Sequence, residues 1–549
     1  MGRLLYNKSL ANRPNILTVI CDDLALGDLA CFGNPHTRTP NLDALFERGR
    51  RYTGYRSGPL CTPARASLMT GRHHLRTGAI DTYLGRSTLR TDETTLPEIL
   101  RDAGYATGLF GKWHLGDCHP SRPQDRGFDH VLWHRGGGIG QPGDVPGNRY
   151  LDPVLDLNGE LVRHEGYCTD VFADAAGDWI REQKDGPWFA YVAPNCPHTP
   201  LEVPDDWADR YRAAGLNESM SRVYAMVENI DAAVGRLVST IRELELENDT
   251  LVLFTSDHGQ CGSSWMDGEP RFNAGLRGIK STVYEGGVRV PCMAQWPAGL
   301  TAGEDERVCG PMDWLPTFAR LAGASTERLA LDGADLFKPA DADRSLVLQW
   351  HRGERPVRYR NYAVVQGGFK LTRPHEDKAD ELYVLPDETH EVSGDHPDLT
   401  ERLRGAYETF FDEVDPARHP SLFEPVPASL GHPSQTRVEL TWQDWRPYEE
   451  GREGWSHDNP GWWAVDVCDG GPFQIDITHP EFVRERATLH LACGDWSFTR
   501  RIPSRLGCQT IRNVTLPLGP ARFEAFIDCD GERVGVTRVV IESRAPRAR

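Results

Sequence analysis

Four short, nearly continuous apolar runs punctuate the first half of the chain, at 15–21 (NILTVIC), 105–110 (YATGLF), 188–192 (WFAYV) and 251–255 (LVLFT). Runs of this length without strict polar alternation predict strands buried on both faces, as in a largely parallel sheet. Helical spacing lies between them. Thr39-Pro40 opens an amphipathic helix through Leu42, Leu45 and Phe46, and 96–101 reads as another. Val223, Val227, Ile230, Val234, Leu237 and Ile241 mark one face of a long helix over 219–244. The expectation is an α/β fold with a large mixed, mostly parallel sheet flanked by helices. Beyond about residue 345 this alternation weakens. Segments 362–371, 381–385 and a helix at 398–411 predict a small antiparallel sheet with one covering helix. After proline-rich sequence at 416–433, short alternating runs at 463–467, 473–477, 487–492 and 523–527, with Gly/Asp turns among them, predict a β-sandwich. The plan that follows is a catalytic domain at 1–345, a small subdomain at 346–418, a linker at 419–435 and an accessory sandwich at 436–549.

At 549 residues the chain is too long for one ordinary domain, which agrees with that plan. Its 61 basic and 80 acidic side chains give a net charge of -19. That balance argues against non-specific nucleic-acid binding and against a polybasic membrane contact, and it requires a locally positive site for any anionic substrate. No stretch approaches the apolar length of a membrane span, and residues 1–14 lack the apolar core of a leader peptide. A cytoplasmic location is therefore expected, with export as the alternative if the start is trimmed. Thirteen cysteines without a C-x-x-C pair describe neither a disulfide framework nor a zinc site.

Each apolar run ends in polar residues. Asp22-Asp23 follow the first, Lys112 and His114 the second, His198 in a proline-fixed loop the third, and Asp257-His258 the fourth. The Asp22-Asp23 pair alone would describe a solvated turn, and Lys112 alone a surface lysine. In open α/β sheets, however, ligands gather at the carboxyl ends of strands. Thr62-Pro63 opens a further helix with Cys61 at its start, where free N–H groups favour an anion, and Arg65 lies one turn on. The glycine-rich segment 135–147 is a loop rather than a dinucleotide fingerprint, because no strand feeds it in the required way. Asp22, Asp23 and Asp257 together suit one hard divalent cation. Lys112 and Lys280 would supply positive charge for an oxyanion, His198 a proton for a leaving alkoxide, and His114 proton transfer at the nucleophile.

The string C-T-P-A-R-A-S-L-M-T-G-R at 61–72 resembles the signature of formylglycine-dependent type I sulfatases of the alkaline phosphatase superfamily. D-D, G-K-W-H, P-H-T-P, S-D-H-G and K-S-T-V-Y-E-G-G-V-R-V-P appear in that family's order over about the first 300 residues. The small subdomain is similar too, and the C-terminal sandwich resembles an accessory domain of some bacterial members. The resemblance implies a formylglycine made from Cys61 by a maturation enzyme, hydrated and bound to a divalent cation. Calcium is the expected ion, with magnesium or manganese as alternatives, and its ligands are Asp22, Asp23, residue 61, Asp257 and His258. One hydroxyl would attack sulfur while His198 protonates the leaving alcohol, and His114 would then draw a proton from the second hydroxyl to release sulfate. Arg65 and Lys112 would hold the diol, and Lys112, His198 and Lys280 the sulfate. One position departs from the common pattern: His258 stands where many members carry an asparagine, and a nitrogen ligand suits calcium less well.

The implied substrate is a small aryl or carbohydrate sulfate. The alternative is a phosphonate monoester or phosphodiester hydrolase using the same site. A non-catalytic binding protein with a decayed site is the rival of another class, and the complete set of polar residues argues against it. For the alcohol half of the substrate, Trp133, His351 and Arg352 are candidate pocket residues, with His73, His74 and His134 beside them. The tryptophans at 442, 445, 455, 462 and 463 have two uses open to them, stacking on a sugar ring or packing in the core.

Overall fold

The computed structural model describes residues 13–449, 451, 454–480, 487–502 and 507–544. Residues 1–12, on which the expectation of no leader chiefly rested, lie outside it. Ten strands form the principal sheet: β1 Asn15–Cys21, β2 Arg50–Tyr52, β3 Ala106–Gly111, β4 His130–Trp133, β5 Val154–Leu157, β6 Glu160–Arg163, β7 Trp188–Ala193, β8 Thr250–Ser256, β9 Cys292–Gln295 and β10 Gly303–Asp305. Their order is β10-β2-β9-β8-β1-β7-β3-β4-β5-β6. The central five, β8-β1-β7-β3-β4, run parallel. Antiparallel pairs extend this centre at both sides, which makes the sheet mixed. The four apolar runs of the sequence are β1, β3, β7 and β8, all neighbours in that centre.

Burial on both faces explains why those runs are apolar throughout. Leu17, Val19 and Cys21 of β1 face one core, shared with Phe172, Ala176 and Ile180 of helix Cys168–Gln183 and with Val223, Val227 and Ile230 of helix Glu218–Glu243. Ile16 and Ile20 face the other, shared with Ala66, Leu68 and Met69 of helix Cys61–Thr70 and with Trp314 and Phe318 of helix Trp314–Leu321. The strand's period of two thus divides its side chains between two helical layers.

The smaller units also have the predicted character. Ser345–Gln349, Tyr362–Gln366, Phe369–Arg373 and Glu381–Val384 form a four-stranded antiparallel sheet. Segment 362–371, read as one run, is a hairpin turning at Gly367-Gly368. Leu403, Tyr407 and Phe411 of helix Pro397–Val414 cover one face of this sheet, while Ala363 and Val365 face Val288 and Met312 of the larger unit. The C-terminal region is a sandwich of a seven-stranded and a four-stranded sheet. The stretch read as linker contributes strand Ala428–Leu430 to it, pairing in parallel with Gly461–Val467. Leu84 and Cys118, from the α/β part, are buried in the sandwich core, so that core spans the junction. Among the described residues no helix is long and apolar enough to cross a membrane.

Candidate active site

The carboxyl ends of β8, β1, β7 and β3 lie side by side, and each delivers its polar residues to one place. Main-chain hydrogen bonds lock the neighbouring exits together. Asp22 N–H donates to Cys196 O (3.2 Å), Asp257 N–H to Cys21 O (3.1 Å) and Lys112 N–H to Ala193 O (2.8 Å). Asp23 and His114 adopt left-handed backbone, φ 64° and 60°, where the chain turns sharply out of its strand. Cys61 is the first residue of helix Cys61–Thr70, all ten residues of which are buried. Proline at its third position gives up an N–H that has no partner within the helix.

Around Cys61 the side chains form an interlocked set of charges. His258 Nε2 lies 3.1 Å from Cys61 Sγ and 3.3 Å from Asp257 Oδ1, while its Nδ1 lies 3.3 Å from Asp23 Oδ1. Lys112 Nζ meets Asp22 Oδ2 at 2.6 Å, Lys280 Nζ meets Asp23 Oδ1 at 2.6 Å, and Arg65 Nη2 meets Asp257 Oδ2 at 2.9 Å. Arg65 therefore grips a carboxylate, with Nη1 reaching Lys112 O at 3.2 Å. Asp22, Asp23, Asp257 and His258 are all completely buried. Burial alone would raise the Asp22 and Asp23 carboxyls, but Lys112 for the first and Lys280 for the second hold them well below the usual range. Asp257 goes the other way, as burial and the neighbouring Asp22 charge outweigh Arg65. Burial would also raise the Cys61 thiol, yet Lys112 and Lys280 bring it down to about 6.

These residues fit a hard divalent cation. Asp22, Cys61, Asp257 and His258 have ligand atoms within 4.8 Å of one another, as do Asp22, Asp23 and His198. Asp22 Oδ1 is buried and meets no protein donor, which is an open position for a ligand bond. Carboxylate oxygens predominate, as such ions prefer. Cys61 Sγ stands where an oxidised residue 61 would place its oxygen.

Two histidines flank this centre. His198 Nδ1 lies 2.7 Å from Thr199 O and so carries its proton there, leaving Nε2 on the side of Asp23, 4.0 Å from Oδ2. His114 Nε2 lies 2.8 Å from Thr82 O, and its Nδ1 is buried without a partner. The glycine-rich loop lies against both rings. A Cβ at Gly137 would come within 2.6 Å of His114 Cε1, and one at Gly138 within 3.2 Å of His198 Nδ1.

A half-open cleft of about 490 Å³ leads to Cys61, His114, His198 and Lys280. Tyr83, Trp265, Ile279, Arg352 and Trp455 form its outer wall. Trp265 is 60% exposed, an unusual state for so large an apolar ring. Of the candidate pocket residues, Arg352 does line the cleft, but Trp133 and His351 do not. Trp133 points inward from β4 and is fully buried in the core. His351 is tied to main chain, with Nδ1 2.8 Å from Arg352 O and Nε2 accepting from Val357 N–H at 2.8 Å. His73 and His74 are buried beside Phe410, and His134 is buried with Nδ1 3.1 Å from Arg135 O. Trp455 reaches the cleft and packs edge-on against Tyr83 at 5.3 Å, whereas Trp442, Trp445 and Trp463 belong to the sandwich core. Sequence reasoning missed Cys261, whose Sγ–H donates to Asp23 Oδ2 at 2.6 Å. Its position three residues after His258 was a usable signal. Trp265, Tyr83 and Gln141, which also lines the cleft, carry no such signal.

Comparison with known proteins places the chain in a family. The family model described as Sulfatase matches residues 14–324. Human (Homo sapiens) arylsulfatase A is 35% identical over 358 residues, covering 60% of this chain and 68% of its own length. N-acetylgalactosamine-6-sulfatase of Sus scrofa is 35% identical over 373 residues, covering 63% and 68%. Among solved structures, Ps i-CgsB in complex with k-i-k-neocarrahexaose superposes with a TM-score of 0.66 at 27% identity, over 72% of this chain and 92% of that one.

Proposed function

This chain belongs to the sulfatase family and hydrolyses sulfate esters, and from that premise we propose how its residues divide the work. The observation that carries the assignment is the convergence of Asp22, Asp23, Asp257 and His258 on Cys61, with Asp22 Oδ1 open. Sulfatases work with a metal ion and a formylglycine. Here Cys61 is the residue that a maturation enzyme converts, and Asp22, Asp23, Asp257 and His258 hold the ion, calcium first and magnesium or manganese next. The ion supplies a Lewis acid that polarises the oxygen on residue 61 and offsets sulfate charge.

The remaining roles follow from which atoms are already committed. Lys112 and Lys280 stand on either side of the carboxylates and supply the positive charge that a sulfate needs inside a chain of net charge -19. His198, whose Nδ1–H is committed to Thr199 O, gives a proton to the departing alcohol oxygen from Nε2 when the ring carries a second proton there. His114, with Nε2 bound to Thr82, has Nδ1 available to take one from the hydroxyl on residue 61. Arg65 fixes the Asp257 carboxylate. The exposed Trp265 and the Tyr83–Trp455 wall support a ring-bearing alcohol, aryl or sugar, as the other half of the substrate.

The test combines peptide mass spectrometry at residue 61 with turnover of aryl sulfates, sugar sulfates and an aryl phosphonate. Formylglycine at 61 and preferred cleavage of a sulfate are expected. Full turnover by Cys61→Ala would overturn the nucleophile, and dominant phosphonate cleavage would favour the phosphorus ester reading.

A further inference from the structure

Gln443 lies between strands Arg437–Thr441 and Arg446–Pro447, where the chain crosses from one sheet of the sandwich to the other. It is 1% exposed and 329 residues from His114 in sequence. Its Nε2 lies 2.5 Å from Thr82 O, 2.8 Å from Ser87 Oγ and 3.3 Å from His114 Nε2. Two oxygens would repel at 2.5 Å, so the amide nitrogen must face Thr82, and its two hydrogens serve Thr82 and Ser87. The same Thr82 carbonyl lies 2.8 Å from His114 Nε2. A carbonyl at that distance only accepts, so the imidazole proton sits on Nε2 and the lone pair on Nδ1.

Thr82 belongs to a segment, 81–87, outside any helix or strand. Three contacts from the sandwich side hold it. Gly85 N–H donates to Gln443 O at 2.8 Å, Arg446 Nη2 donates to Gly85 O at 2.8 Å, and Gly454 N–H donates to Tyr83 OH at 3.3 Å. The carbonyl that orients His114 is thus itself held by residues from the other end of the chain.

We propose that Gln443 is a positioning residue for sulfate ester hydrolysis: by holding the Thr82 carbonyl it fixes His114 with its proton on Nε2 and its lone pair on Nδ1, so that the C-terminal sandwich completes the active site. This rests on the role given to His114 above. If His114 frees residue 61 after the alcohol has left, losing Gln443 slows the release of sulfate and leaves the departure of the alcohol nearly untouched.

Full-length Gln443→Met, similar in length but without donors, is compared with wild type on a chromogenic aryl sulfate, after mass spectrometry has verified formylglycine at 61 in both. Gln435→Met is the interface control: Gln435 Oε1 accepts from His119 N–H at 2.7 Å across the same junction. For Gln443→Met, kcat is expected to fall about tenfold to a hundredfold while kcat/KM stays within about twofold, because KM falls with it. A pre-steady-state burst of alcohol, up to one per enzyme, should accompany sulfate retained on residue 61. Gln435→Met should lower the unfolding temperature with kcat unchanged and no burst. Gln443→Ala gives the same reading if Gln443→Met does not fold. Wild-type kcat in the Gln443 variant, or a kcat/KM loss without a burst, overturns the proposal. A wild-type enzyme that carries formylglycine yet cleaves no sulfate ester overturns the underlying reading and the proposal with it.

Discussion

Lys112 Nζ and Asp22 Oδ2 lie 2.6 Å apart, and neither side chain has any exposed surface. Removing one partner of such a pair leaves a buried charge uncompensated, at a cost of about 3–5 kcal/mol. Lys112→Met should therefore unfold at lower urea and lose turnover. Saturating calcium should recover part of the stability, because the ion takes over the compensation of Asp22, while turnover stays lost. Equal urea midpoints for wild type and variant in chelator would refute this.

Chelation should abolish hydrolysis, with calcium restoring it. Binding to the native state alone adds RT ln(1 + [L]/Kd), about 2.7 kcal/mol at a hundredfold excess over Kd. The unfolding temperature should rise on adding calcium to the chelated protein, and Asp257→Asn should show a much smaller rise. Titrations with magnesium and manganese then rank the ions.

Gly137 is fixed by space. A methyl group there would press on His114 Cε1 from 2.6 Å, and relieving such overpacking costs about 1–3 kcal/mol or moves the ring. Gly137→Ala should lower kcat by about tenfold to a hundredfold, as displaced catalytic groups do. Gly186, with no atom within 4 Å of its Cβ position, should accept alanine with kcat unchanged.

The junction with the sandwich carries a pH signature. Burial pushes the Asp117 carboxyl up to about 7, against the pull of the Gly136 N–H and Arg135, and burial likewise raises Asp144 to about 6. Folded carboxyls that hold protons more tightly than unfolded ones give stability that is full below about pH 4 and is lost as pH rises to about 7. The urea midpoint of the wild type should fall from pH 5 to pH 8. Asp117→Asn, which keeps an acceptor for the Gly136 N–H, should flatten that slope.

The central sheet was legible because β1, β3, β7 and β8 are buried on both faces and so have little polar alternation to confuse them. Asp22, Asp23, Lys112, Asp257 and His258 were legible as candidates for the same reason, being the first polar residues after those runs, whereas Cys61 and Lys280 stand apart from them. Short elements at one side of the sheet such as β2 and β10, three residues each, carry too little pattern. Trp133 shows the limit of residue type as a guide: strand parity turned it into the core. Gln443 shows the limit of local reasoning, since its contact with Thr82 spans 361 residues and no nearby motif marks it.

The burial of the whole helix Cys61–Thr70 sets a schedule for the chain's history. β1 emerges near residue 15, but its neighbours β7 and β8 arrive only at 188 and 250. Without those two strands the sheet beside residue 61 is incomplete; in the folded protein that residue is 2% exposed. On the proposed conversion of Cys61, a maturation enzyme would have to act before the sheet closes over the residue, because the folded chain leaves it only a cleft wide enough for a small molecule.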